Sequence, residues 1–130
     1  MAKFKRFEDI MIWQLARDLC KLIHKLTSRQ PWKTDYRFKS QIESASGSIM
    51  DNIAEGFGRG GNTEFVNFLR YARGSCEEVK SQIIRSLDKD YITREECKEI
   101  YDLCGRISMG LKKLIDTLNQ SDRKVPNYRS

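Results

Sequence analysis

The chain has little with which to interrupt a helix. Its 130 residues include two prolines, Pro31 and Pro126, and proline stops a helix by removing a donor and clashing with the preceding turn. Long helical runs are therefore open to it. There is one histidine, His24, so a zinc site would need cysteines and carboxylates converging from separate segments, and no ligand spacing points to one. The four cysteines, Cys20, Cys76, Cys97 and Cys104, form no CxxC pair. Each falls on or beside an apolar stripe, where a free thiol packs as a small hydrophobe. No apolar run approaches the roughly 20 residues of a membrane span. The opening MAKFKRFED holds no apolar leader and no cleavage site. These absences lead to the expectation of a cytoplasmic protein with reduced thiols, no metal, no cofactor and no membrane.

What is present is helical periodicity. Ile12, Leu15, Ala16, Leu19, Leu22, Ile23 and Leu26 follow the i, i+3, i+4 rule and predict a first helix over about 8–29. Phe38, Ile42, Ala45, Ile49, Ile53 and Phe57 predict a second over about 35–57. Beside them Ser40, Ser44, Gly47 and Ser48 make a stripe of small residues, suited to close approach of a neighbouring helix. Glycines 58, 60 and 61 break the chain. A third helix then runs to about residue 87, with Asn62 or Thr63 as its cap. Thr93 and Glu96 have the spacing of a capping box, which opens a fourth helix ending near residue 118. No strand pattern or repeat stands out. The expected fold is all-α, an antiparallel up-down four-helix bundle in one domain over 1–120, with a disordered basic tail over 121–130.

Charge is uneven along the chain. Residues 1–39 carry ten Lys/Arg against four Asp/Glu, so their excess equals the net +6 of the whole. Such a segment suits a polyanion, with nucleic acid first and an acidic membrane surface second. The alternative is a solvated helix face with a basic arm. Arg17, Lys21, Lys25 and Arg29 repeat every four residues, and a helix would spread them over roughly 18 Å. Lys3, Lys5 and Arg6 extend this ridge, and Arg70 and Arg73 make a second, weaker pair.

The stretch SIMDNIAEGFGRGGNTEFVNFLRYARGSCEE, residues 48–78, holds the densest polar cluster. Asn52 lies at the margin of an apolar face, and Glu55 precedes Arg59 by four, the favourable order for a helical ion pair. With Gly56, Gly60 and Gly61 these residues read as a structural corner that sets the turn and the entry of the third helix; a binding site there is the alternative. Residues 56–61 also match G-x-G-x-x-G, but a helix precedes them where the dinucleotide fingerprint needs a strand. Cys20 and His24 are spaced for a dyad, yet no orienting partner or oxyanion site can be named for it. Trp13, Trp32, Tyr36 and Tyr71 either stack on bases or pack in the core. No catalytic residue emerges.

Phe7-Glu8-Asp9, Trp13-Gln14, Gln41-Ile42, Asn52-Ile53-Ala54-Glu55-Gly56, Arg59, Glu64-Phe65, Phe68-Leu69, Ala72, Gly74-Ser75 and Glu78 together resemble a known family. It is the four-helix-bundle family encoded in 23S rRNA intervening sequences of bacteria, often labelled ribosomal proteins. The likeness covers nearly the whole chain. It implies a four-helix bundle assembled as a homopentameric ring, and it offers no established catalytic residues to carry over. A more distant likeness is to the accessory protein of diversity-generating retroelements, a basic pentamer that works with a reverse transcriptase. The chain departs from the family pattern at Met50-Asp51, where many members have a proline and a small residue. It departs again at Asn62 and the paired glycines, which replace a more basic linker.

The functional expectation is a non-enzymatic, self-assembling bundle that binds structured RNA or DNA through its basic surface. The alternative is an interaction scaffold, or an accessory subunit of a nucleic-acid-processing protein, with no nucleic-acid contact of its own.

Overall fold

The apolar periodicity resolves into four packed helices. The computed structural model describes residues 4–124. Over these, α1 spans Met11–Thr27, α2 Tyr36–Gly58, α3 Asn62–Asp88 and α4 Arg94–Lys124, with short 3-10 turns at Phe7–Asp9 and Trp32–Thr34. The described residues form no strand. Helix α1 packs against α2 and α4, and α3 packs against the same two, so the helices close a four-membered bundle.

The predicted stripes face inward. Leu19 and Ile23 of α1, Ile42, Ile49 and Ile53 of α2, Leu69, Val79 and Ile83 of α3, and Ile100, Ile107 and Leu111 of α4 are all fully buried. Each such side chain contributes about 1.5–3 kcal/mol through removal from water. Trp32, on the short turn between α1 and α2, is also fully buried and stacks on Phe38 with ring centroids 5.1 Å apart. It therefore plugs one end of the core.

Helix boundaries differ from expectation where local capping decides them. The first helix starts at Met11, because residues 7–9 form a separate 3-10 turn, and it ends at Thr27. Neither Asn62 nor Thr63 caps α3; both are inside it, and Gly61 is the N-cap residue, with no side-chain cap. The capping box of α4 is formed as expected. Thr93 N–H donates to Glu96 Oε1 at 2.9 Å, and Glu96 N–H donates to Thr93 Oγ1 at 3.1 Å. Helix α4 continues past residue 118 to Lys124. The rest of the tail expected to be disordered, 125–130, lies outside the described residues, as does Lys3.

Glycine has a specific task at two positions. Gly60 has φ +85°, the left-handed region, whereas Gly61 has an ordinary extended backbone. At Gly56 an added Cβ would lie 2.6 Å from Phe68 Cβ and 3.1 Å from Phe65 Cδ1. Gly56 therefore lets the end of α2 close onto the start of α3.

Candidate nucleic-acid interface

Arg17, Lys21 and Lys25 lie opposite the buried Leu19 face of α1, and all three are exposed. None makes an ion pair among the described residues. The helix rise places Arg17 and Lys25 about 12 Å apart. Asp18 is the one carboxylate on this helix. On the flank facing α2, His24 Nδ1 sits 3.0 Å from Glu43 Oε2.

The expected ridge is shorter than its sequence spacing implied. Arg29 lies beyond the end of α1 and is held by Glu96 through contacts of 2.7 and 2.8 Å. Arg6 pairs with Glu8 at 2.7 Å, while the neighbouring Lys5 is exposed. On α3, Arg70 is exposed, and Arg73 is half-buried with its Nε donating to Ser108 Oγ at 3.4 Å. Two exposed lysines of α4 contrast with those of α1. Lys98 is paired with Asp102 at 2.6 Å and Lys112 with Asp116 at 3.1 Å.

The polar cluster of residues 48–78 divides into two structural groups. Glu55 and Arg59 form the expected ion pair at 2.7 Å, and the Arg59 guanidinium lies over the Phe68 ring, 5.0 Å from its centroid. This group ties the end of α2 to α3. Asn52 does not reach the corner. Its Nδ2 donates to Ser48 O at 2.8 Å and to Ser48 Oγ at 2.9 Å. Ser75 Oγ of α3 then donates to Ser48 Oγ at 3.1 Å. The Ser48 hydroxyl thus joins the Asn52 amide to Ser75 and links α2 to α3 at this point.

Beyond this link a groove runs between the two helices. Ser40, Ser44 and Ser48 of α2 face Glu78, Ser81 and Gln82 of α3 across a groove of about 560 Å³. The small-residue stripe, suited to close approach of a neighbouring helix, lines this groove through its serines, and an added Cβ at Gly47 would meet nothing within 4 Å. At the groove's end a cavity of about 380 Å³ is lined by Arg37, Arg85 and Lys89 together with Asp35. Periodicity did not single out this cationic group, because its members come from the first turn of α2, the last turn of α3 and the residue just past its end. The excess of positive charge over residues 1–39 was the one signal that included Arg37.

The thiols are quiet. Burial pushes Cys76 and Cys104 up to about 12 and raises Cys20, and His24 turns to Glu43. Cys20 and His24 are therefore not arranged as a dyad. Among the described residues no three His, Cys, Asp or Glu side chains gather as a metal site, and no helix is long and apolar enough to cross a membrane.

Fold and surface together define an all-helical bundle with a basic outer face on α1 and a polar groove between α2 and α3. Residues 8–113 match the model of the 23S rRNA-intervening sequence protein family, and the chain belongs to that family. A solved structure with the same fold is that of a protein of unknown function from the S23 ribosomal protein family of Bacteroides thetaiotaomicron. It has a TM-score of 0.73 at 20% identity, over 81% of this chain and 95% of that one. Among curated proteins none matches significantly.

Proposed function

We propose that the protein is a non-enzymatic, self-associating bundle of antiparallel up-down topology that binds structured RNA or DNA through the exposed face of α1. One observation carries the reading. Arg17, Lys21 and Lys25 have no carboxylate partner among the described residues, whereas Lys98 and Lys112 on α4 are each neutralised by a neighbour. Unpaired cations on one helix face meet phosphates without reading bases. The short links between consecutive helices favour the up-down arrangement.

Self-association is supported by large apolar side chains left in water. Ile84, Tyr101 and Met109 of α3 and α4 are 44%, 42% and 64% exposed, and Tyr71 is 61% exposed. Surfaces of this kind mark contacts with another chain. The family resemblance implies five copies, and a ring of five would present five α1 faces.

The test is fluorescence anisotropy with structured RNA and duplex DNA at two salt concentrations, beside light scattering for the oligomer. Binding at low salt that is lost on reversing charge at Arg17, Lys21 and Lys25 supports the proposal. Absence of binding at low salt passes the function to the scaffold reading, an accessory subunit cytoplasmic like its nucleic-acid-processing partner. A monomer mass near 15 kDa overturns self-association.

A further inference from the structure

Gln82, which lines the groove between α2 and α3, carries a buried polar atom that the fold leaves without a partner. Gln82 is 5% exposed, and its Oε1 has no hydrogen-bond donor among the described residues. A buried amide oxygen without a donor costs about 1–3 kcal/mol. Gln82 lines the groove together with the hydroxyls of Ser40, Ser44, Ser48 and Ser81. Gln41 and Arg85 line both this groove and the cationic cavity of Arg37 and Lys89, so the two spaces adjoin.

Two of the three charges at that end are available. Arg37 and Arg85 make no ion pair among the described residues. The Arg85 guanidinium stacks on Phe38, 4.6 Å from the ring centroid, which holds the group in place and leaves its N–H edge for an acceptor. Asp35 is the one carboxylate of the cavity, and it is occupied. It accepts from Tyr91 Oη at 2.7 Å and from Phe38 N–H at 3.4 Å, and it lies 3.7 Å from Lys89 Nζ.

We propose that this groove binds a ribonucleotide unit, with its phosphate on Arg37, Arg85 and Lys89, and with the Gln82 side-chain amide turning toward the groove so that a ribose hydroxyl donates to Oε1. Gln82 lies three residues before Arg85 on the same helix, about 4.5 Å along the axis. That is the order of separation between a 5′-phosphate and the hydroxyls of its ribose. Glu78 lies four residues further back, about 6 Å on, where its carboxylate meets the base. An ionised carboxylate accepts hydrogen bonds and donates none. It therefore favours bases with an exocyclic amino group and disfavours uracil. The serine hydroxyls, which both donate and accept, complete the lining. This site is separate from the α1 face and does not depend on it.

The test is an NMR titration of the full chain with inorganic phosphate, ribose 5-phosphate, the four ribonucleoside 5′-monophosphates, adenosine and a short single-stranded RNA. The expected result is saturable shifts at Gln41, Gln82 and Arg85, stronger for AMP than for phosphate or for UMP. Gln82→Met keeps the volume and removes the acceptor. It should weaken AMP by about tenfold, the effect of one buried hydrogen bond, while leaving phosphate binding in place and the melting temperature no lower than before. Arg37→Gln, at an exposed position, should weaken AMP and phosphate together. Charge reversal on α1 should leave the AMP shifts unchanged. RNA shifting the same residues at lower concentration than AMP identifies the unit as part of a strand; the reverse order identifies the free nucleotide. No shift at millimolar AMP overturns the proposal. So does AMP binding that Gln82→Met leaves untouched, which would mean a nonspecific anion patch. Protection of the Gln82 side-chain amide in the ligand-free oligomer also overturns it, by showing that a second copy fills the groove.

Discussion

Arg29, just past the end of α1, grips Glu96 in the first turn of α4 with both arms of its guanidinium, at 2.7 and 2.8 Å. Glu96 Oε1 accepts from the Thr93 N–H as well, so one carboxylate caps α4 and locks it to α1. The Arg29 hydrogen bonds, with that from the Thr93 backbone, hold the Glu96 carboxyl at about 2.

A pH dependence follows. The folded value lies below the ordinary glutamate value of about 4.3. The stabilisation is therefore complete above that value, and it is lost as pH falls from about 4.3 toward about 2. Arg29→Gln should cost about 0.5–1 kcal/mol at neutral pH, since the pair is partly in water. It should also flatten the loss of stability across the acid window. Thermal melts from pH 6 to pH 2 compare the two proteins, and identical acid slopes would contradict the assignment.

Gly56→Ala should destabilise the fold by about 1–3 kcal/mol, because the new methyl group meets the Cβ of Phe68 and the ring of Phe65. Gly60→Val should cost at least about 1–2 kcal/mol, for the left-handed backbone it would have to keep. Gly61→Val should be milder, since its φ of −116° suits any residue. Urea denaturation ranks the three. A Gly61 variant as damaged as the Gly60 variant would refute this account of the corner.

Asn52→Ala should lower stability by about 1 kcal/mol. The amide is half-buried and its Nδ2 donates twice, both times to Ser48. Ser75→Ala removes the link that carries this network onto α3. A double-mutant cycle should show the two substitutions to be non-additive, because they share Ser48. Additive losses would mean that the network does not act as a unit.

Polynucleotide binding through α1 should be steeply salt-dependent. Each phosphate neutralised contributes a slope of roughly 0.9 in log K against log salt for duplex DNA. Reversing charge at Arg17, Lys21 and Lys25 should remove about three such contacts and leave the helical signal intact, since these side chains are clear of the core. Reversal at Lys112 and Lys113 should have a smaller effect, because Asp116 already neutralises Lys112. Anisotropy titrations across a salt series measure both, and equal effects of the two variants would remove α1 as the interface.

The four helices, the capping box at Thr93 and the Glu55–Arg59 pair were legible in the sequence, because each is a relation between residues within a turn or two of one helix. The inward faces were legible for the same reason: a period of 3.6 residues says which side of a helix is apolar. The exposed positions of Arg17, Lys21 and Lys25 came with that reading. The partners across helices did not. Arg29 read as the fourth member of a ridge, and only the packing of α4 beside α1 put it on Glu96. Asn52 read as part of the corner, and only the pairing of α2 with α3 turned it to the Ser48–Ser75 link. The burial of Gln82 without a donor, and the meeting of Arg37 with Arg85 and Lys89, depend on how α2 and α3 pack beyond that link. Local periodicity determines which face of each helix avoids water; the spacing between helices, decided by side chains far apart in the chain, determines what the remaining faces enclose.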